Sequence, residues 1–492
     1  MMHGIQCRLE VLSSGRTLRP HGEIVLTEDI DRGSRLFAQL EETPAAPGIG
    51  EPLHIRVQQT DPGGEQVLEA ALWTSEVSRL DDGRMRTLFV EAIDPLGFSN
   101  LQRQFVSRAG RIPLLRLADQ VLAAQPGALA DLRPSSQDSP QVPEDWLLQC
   151  DETGREFLNR IARSLGHLVY WARGELRCDV IGRTPAQDGP PARLQFGRDL
   201  LSLMTRETPD LDSQRIFWTD PVTRHVSAAN FEGQVVNGRT PANGLARRVS
   251  SCSRPEAPSC VGEVGTDEFG VRLLIETTRP DLALGAQIQV EGGPACLVTA
   301  IEHHLHAQGS YRNRLVCVPD NRWGIGGAPA IRGLKGPFQG EVTHNDDPLG
   351  QQRVRIILSE DPERRPTPWL PLTTVSAGEG RGLYWLPEVG DIVLVTANAE
   401  CPESLVCIGS LRGKHQKAET SWRSGKNAVK VLGLRNGVRI VFDDEKKTIR
   451  LETGGAYLEL RGDGKFHLSG RELDVAMAAN IRLDAARIDL GS

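Results

Sequence analysis

The sequence predicts a mainly β chain of several domains, ending in a strand repeat that cannot bury its own apolar face. The first observation is the stretch from Gly433 to Ser492, where short alternating segments follow one another: Val438, Ile440 and Phe442; Ile449 and Leu451; Leu458 and Leu460; Phe466 and Leu468; Val475 and Met477; Ile481 and Leu483; Ile488 and Leu490. That is the period of a strand with one dry face. The second is the spacing. Turns at Asp443–Asp444, Gly454–Gly455, Gly462–Gly464 and Ala479–Asn480 restart the strands every roughly 6 to 10 residues, as in a stacked repeat. The third is composition: 50 Gly, 31 Pro and few aromatics suit many short strands and tight turns. A narrow meander needs partners for its dry face, and closed association of identical chains supplies them most simply. The expected object is a rod of intertwined copies.

Composition narrows the function. At 492 residues the chain has length for several cores. Its 57 Lys and Arg against 64 Asp and Glu give a net charge of −7, without the basic excess of a dedicated nucleic-acid binder. No apolar run is long enough to span a bilayer. Met1 to Glu10 carries no Sec-type signal, so the expectation is synthesis in the cytoplasm and export, if any, by another route. Nine cysteines without a CxxC pair point to reduced, mostly buried thiols rather than a disulfide framework.

Residues 1 to about 108 read as a β-barrel or sandwich, with strands at Ile5–Val11, Glu23–Leu26, Leu53–Val57, Leu68–Trp73 and Arg86–Val90. After Pro113 the period turns helical through Leu114, Leu117, Val121 and Leu122, and Gln125, Pro126 and Gly127 stop it. Asp131 to Pro143 reads as a loop, and Trp146–Cys150 as a short strand. Thr153 and Glu156 form a capping box for a helix with Phe157, Leu158, Ile161, Ala162 and Leu165 on one face and Gly166 as its stop. Leu168–Trp171 and Leu176–Val180 form a hairpin over Arg173 and Gly174. From about Leu194 strands return, ending in Ala295–His303 and Tyr311–Val318, and Arg322 to Ala330 reads as a linker. Residues 338 to 411 hold five short strands in one small unit, at Phe338–Val342, Arg353–Leu358, Thr367–Leu372, Ile392–Val395 and Leu405–Ile408, the pattern of an OB-like barrel.

This order of parts, with its local motifs, resembles the VgrG family and the phage baseplate hub and tail-spike proteins that VgrG fuses into one chain. Gln149, Glu156, Phe157, Leu158 and Arg160 are similar to the family's insert helix. Glu302 and His303, followed by Tyr311, Asn313, Leu315 and Pro319, are similar to the end of its second barrel, with Leu315 where an aromatic is usual. In the small barrel Gly340–Val342, Asp347–Gly350, Arg353–Ile356, Trp369, Pro387–Asp391 and Gly409–Leu411 match most specifically, and Asn436–Asp444 resembles the start of the terminal prism.

The resemblance implies a mainly β chain: two hub-type β-barrels with a helical insert, an OB-like barrel and a C-terminal trimeric β-prism or β-helix. The hub-like region would span residues 1–330, with a barrel at about 1–108, an α/β insert at about 109–193 and a second barrel at about 194–325. The OB-like barrel would take 331–413, a linker 414–432 and the prism spike 433–492. It further implies a homotrimer that meets a hexameric inner tube protein and baseplate proteins, with a PAAR-type tip protein at its C-terminal end and a target membrane touched transiently. The function it implies is that of a structural spike of a contractile injection system (type VI secretion, extracellular injector or phage-like tail), assembled into a particle and delivered outward.

Candidate chemistry is sparse. His303, His304 and His306, near Cys296 and Glu302, make the strongest metal-like cluster, but 304 and 306 share one strand face and 303 takes the other, so a structural role is expected and no metal is assigned. The glycines at Gly265–Gly270 and Gly324–Gly327 lack the strand-to-helix context of a phosphate site. The acid pairs Asp346–Asp347, Glu360–Asp361 and Asp443–Asp444 lie in turns rather than across a cleft, and only Lys414 to Gly433 separates barrel from repeat, too short for a hydrolase. No catalytic residue and no cofactor is expected, and the chain is read as no enzyme. The rival readings are a trimeric adhesin or tail fibre and an OB-fold nucleic-acid binder. The second needs a basic groove, yet Arg353, Arg355, Arg364 and Arg365 are matched by Asp346, Asp347, Glu360, Asp361 and Glu363. Trp369, Tyr384 and Trp385 read as barrel or interface packing. In the repeat, opposite charges at Arg439, Arg450, Glu452, Glu459 and Arg461 should set register between strands.

Overall fold

The structure, a computed structural model, describes the chain apart from residues 1–4, 124–138, 209–212, 220–225, 233–244, 249–269, 324–335, 414–417 and 489–492 and isolated stretches of one to three residues. The chain divides into two compact units, Met1–Leu411 and Arg412–Ser492.

In the first unit the largest sheet has 13 strands. It runs through Leu200–Thr208, Gly270–Thr277, Ser310–Pro319, Ala295–His306, Pro20–Asp29, Arg35–Glu41, Arg86–Ile93, Gly64–Asp81, Pro52–Asp61, Ile5–Val11 and Arg16–Leu18, with Gln287–Val290 and Ala192–Leu194 branching from Ala295–His306. The two barrels read from the sequence keep separate cores. One is packed by residues such as Leu9, Leu26, Ile55 and Val90, the other by Ile275, Ile288, Leu297 and Leu315. What the sequence did not show is their join: Ala300–His306 pairs antiparallel with Glu23–Asp29. The join follows from the strand's length, because twelve residues give it one half in each core, with Leu297 in the second and Leu305 in the first. Trp323, assigned to a linker by its glycine-rich context, is instead fully buried in the second core. Its ring lies edge-on to Tyr170 at 5.7 Å, and its carbonyl accepts a hydrogen bond from Gly182 N at 2.7 Å. The apolar area of one large ring outweighs the polar run around it. The glycine-bearing stretches at residues 265–269 and 324–327 and the loop residues 131–138 lie outside the described residues.

The insert packs the helices Leu114–Ala123 and Gly154–Ser164 on a core that includes Phe157, Leu158 and Ile161. Thr153 Oγ1 accepts from Glu156 N at 3.2 Å and the Glu156 carboxylate accepts from Thr153 N at 3.0 Å, closing the capping box. Gly166, with φ +75°, takes the left-handed turn that ends the helix. The hairpin His167–Ala172 and Glu175–Val180 turns on Arg173 and Gly174, both at positive φ, as a two-residue hairpin loop demands.

The small barrel orders its strands Leu370–Pro371, Arg353–Leu358, Phe338–His344, Ile392–Asn398 and Cys401–Leu411. A bridge from Leu372 to Cys407, with Thr373 N donating to Cys407 O at 2.8 Å, brings the first strand onto the last. The strand expected over Thr367–Leu372 shrinks to Leu370–Pro371, because Pro366, Pro368 and Pro371 have no N–H for the ladder.

The second unit is a five-stranded antiparallel meander: Val429–Gly433, Arg439–Asp443, Thr448–Thr453, Ala456–Arg461 and Phe466–Ser469. Its first strand lies in the segment assigned to the 414–432 linker, where Val429 and Val431 alternate with Lys430. The strands expected at Val475–Met477, Ile481–Leu483 and Ile488–Leu490 are not formed among the described residues; Leu483 and residues 489–492 lie outside them. A strand exists only with a neighbour for its N–H and C=O groups, and here the chain has paired no further segment alongside Phe466–Ser469 among the described residues.

Candidate functional site

The strand Trp146–Thr153 is buried on both faces, and this makes it the wall between insert and small barrel. Its period of two sends Leu147 into the insert core, whereas Trp146, Leu148 and Cys150 enter the core of the small barrel beside Val354, Ile356, Val393 and Cys407. Beside it, Phe105 on the paired strand Arg103–Ala109 meets Phe338 of the barrel at 5.1 Å.

Two polar clamps lock this wall. Arg160, on the helix Gly154–Ser164, reaches Glu152 through Nε and one terminal nitrogen at 2.8 and 3.0 Å, and Glu403 of the small barrel at 2.9 and 3.1 Å. It also donates to Leu148 O at 2.9 Å, while Glu403 accepts from Leu148 N at 3.2 Å. All three side chains are nearly enclosed, at 8%, 12% and 6% exposure. Burial pushes the Glu152 carboxyl up, and the Arg160 guanidinium pulls it back down. In the second clamp, Asp361 is 3% exposed and accepts from Ser107 N at 2.9 Å and Ser107 Oγ at 2.6 Å, while capping its own loop through Glu363 N and Arg365 N. The same helix faces the first barrel as well: buried Arg163 pairs with Asp31 at 2.8 Å, and burial raises the Asp31 carboxyl to about 6. One helix therefore ties the large sheet, the insert and the small barrel together.

Of the residues singled out from sequence, Arg160 and Asp361 fall at this junction. Glu403, Ser107, Arg163 and Asp31 carried no sequence signal, since a lone charge announces no partner. The histidines do not converge. His303 is fully buried, with Nδ1 2.7 Å from the Tyr311 hydroxyl and Nε2 3.1 Å from Glu28, and Asn313 Nδ2 donates to the same hydroxyl at 3.0 Å. Both imidazole nitrogens are thereby engaged. His304 lies 3.1 Å from Glu23. Among the described residues no group of three or more His, Cys, Asp or Glu could hold a metal ion. Of the turn acids, Asp347 is a bidentate partner of Arg353 and accepts from Leu349 N and Gln351 N, which holds its carboxyl far below the usual range. Asp443 accepts from Lys446 N at 2.9 Å. Tyr384 and Trp385 are 70% and 46% exposed, outside the barrel core. Among the described residues, Cys7, Cys150, Cys178, Cys296, Cys317 and Cys407 are free thiols, all buried except Cys7.

In the meander one face carries the charge ladder and the other the apolar rows. Arg439 faces and pairs with Glu452, and Arg450 faces Glu459 at 3.2 Å while its guanidinium lies over the Tyr457 ring at 3.8 Å. On the opposite face Ile440, Leu451, Leu458 and Leu468 stand in one cross-strand row, and Phe442, Ile449, Leu460 and Phe466 in the next. The polarity of burial is inverted relative to a normal sheet: Glu459 is 9% exposed, whereas Leu451, Phe442 and Leu468 are 41%, 42% and 52% exposed.

Residues 338–411 match the family model of the type VI secretion system/phage-baseplate injector OB domain. No curated protein sequence matches the chain. Among solved structures, the fold is similar to the E. coli c3393 protein, described as a component of the type VI secretion system with structural similarity to the T4 bacteriophage tail proteins gp27 and gp5; the TM-score is 0.53 at 12% identity, covering 83% of this chain and 100% of that one. It is also similar to the Francisella PdpA–VgrG complex in its half-lidded form, with TM-score 0.62, 7% identity and coverage of 96% and 88%. A lidless PdpA–VgrG complex gives 0.61, 8%, 96% and 99%. At these identities the likeness is one of fold. The chain thus has the hub-and-spike fold of baseplate proteins. Its likeness to the PdpA–VgrG structures is one of fold, and residues 338–411 form a small barrel of the injector OB type.

Proposed function

We propose that this chain is the structural spike of a contractile injection system, working as a homotrimer and performing no chemical step. The observation that carries this reading is the exposed apolar face of the terminal meander, in a chain whose remaining parts have the hub and OB fold of baseplate proteins. Water penalises such a face by about 25 cal/mol per Å2 of apolar surface left uncovered, and three copies closing into a prism would cover it and remove the open strand edges together. The segment beyond Ser469, with Leu473, Val475, Met477, Ile481 and Ile488 all exposed, would find its strand partners in the other copies.

In this reading the large sheet, three times over, presents its face to a hexameric inner tube and the surrounding baseplate proteins. The prism points outward with a PAAR-type tip protein on its end. A contracting sheath drives it through the target membrane by axial force. The doubly buried wall strand and its two clamps suit such a role, because a force passed between insert and barrel meets packed cores and charge-assisted hydrogen bonds. The particle would be assembled in the cytoplasm and delivered outside the cell or into a target.

The test is absolute mass in solution of the full chain beside a chain ending at Leu411. A trimer that falls apart on truncation is the expected result; a monomer in both ends the proposal.

A further inference from the structure

A cleft of about 570 Å3 opens where the insert meets the small barrel, lined on one side by Arg108, Asp145 and Trp146 and on the other by Arg353, Arg355 and Trp369 with its flanking prolines. The balance of charge in it is uneven. Arg353 is satisfied by Asp347, Asp145 by Arg111, and Arg365 meets Glu363 at 3.5 Å on the exposed rim. Arg108 and Arg355 have no carboxylate within ion-pair distance among the described residues: Arg108 donates to the amide oxygens of Gln104 and Gln149, and Arg355 Nε to Thr367 O at 2.8 Å. Burial lowers the pKa of the Arg108 guanidinium, and the nearby Glu363 carboxylate, beyond ion-pair distance, opposes that shift without cancelling it. Trp146 is only 5% exposed, and its Nε1 has no acceptor among the described residues, an arrangement that costs free energy unless something supplies one.

The geometry points to a binding site for a carboxylate-bearing, acidic peptide segment of a partner protein. Arg108 and Arg355 would hold the carboxylate, and Trp369 with its flanking prolines would seat the neighbouring apolar side chain. A bare phosphate has no use for these apolar walls, and the volume suits a few side chains of a bound segment. This inference rests on the cleft alone and stands apart from the trimer reading.

The test uses the full chain and a rhodamine-labelled, end-capped Ala-Glu-Leu-Glu-Ala peptide, followed by fluorescence anisotropy. Saturable binding is expected, at least about tenfold tighter than for the Ala-Gln-Leu-Gln-Ala counterpart, and weakened about tenfold by Arg355→Gln. Arg365→Gln, exposed and remote from the core, should weaken it less without moving the melting temperature, which separates a binding effect from a folding one. Equal binding of the two peptides, no saturable binding, or full displacement by inorganic phosphate at the peptide's own concentration overturns the assignment. So does loss of oligomer mass in Arg355→Gln, which would give the cleft to a neighbouring copy instead.

Discussion

At the residue scale, the junction depends on a few charges whose worth comes from enclosure. Arg160 holds two buried carboxylates, so Arg160→Ala leaves Glu152 and Glu403 desolvated without a cation, and a loss of about 3–5 kcal/mol is expected in denaturant unfolding of the first unit. The Thr153 cap is a smaller item: Thr153→Ala should cost about 1 kcal/mol by the same measurement, because one amide at the helix start loses its acceptor. Asp347 makes stability depend on pH. Its hydrogen bonds from Arg353, followed by those from Leu349 and Gln351, depress the folded pKa below the unfolded value of about 3.9. The group therefore stabilises the fold above that value, and the contribution drains away as pH falls below it toward the folded pKa. Melting temperature recorded from about pH 6 to about pH 2.5 should fall more steeply below about pH 4 for the native chain than for Asp347→Asn; parallel curves would show that the pair contributes nothing.

At the element scale, the meander is the part whose sequence and burial disagree. Its charged face is tied up by Arg439, Glu452, Arg450 and Glu459 in facing registers, which favour strand alignment. Its apolar face is open. If the proposed trimer forms, Leu451→Asp, placed between Ile440 and Leu458 in the cross-strand row, should abolish it by light scattering while the first unit keeps its melting temperature. An unchanged mass would remove that row from the axis. The strand Trp146–Thr153 shows the opposite case, a short segment with partners on both sides. Its apolar run at Trp146, Leu147 and Leu148 already breaks the alternation expected of a half-exposed strand, which is the signal of double burial.

For the whole molecule, the hub-and-spike fold was legible because its parts are local. The capping box at Thr153 and Glu156, the hairpin at Arg173 and Gly174, and the small barrel's Pro387–Asp391 turn each declare themselves within a few residues. The clamps were not legible in the same way. Ser107 and Asp361 stand 254 residues apart and Arg160 and Glu403 243 apart, and Asp361 has the look of any other turn acid. The large sheet likewise hides its join, since each barrel's pattern is complete without it. Trp323 escapes the sequence reading because a buried aromatic in a glycine-rich stretch has no period to betray it.

The sequence by itself determined the capped helix, the turns, the small barrel and those strands whose neighbours lie in the same chain, though not the last strands expected of the repeat, because period, capping and turn chemistry are properties of neighbouring residues. Only the tertiary structure decided that the two barrels share a sheet, that one wall strand serves two cores, and that Arg160 and Asp361 are clamps. Those outcomes depend on which distant groups lose water together, and desolvation is fixed by the fold rather than by any stretch of chain.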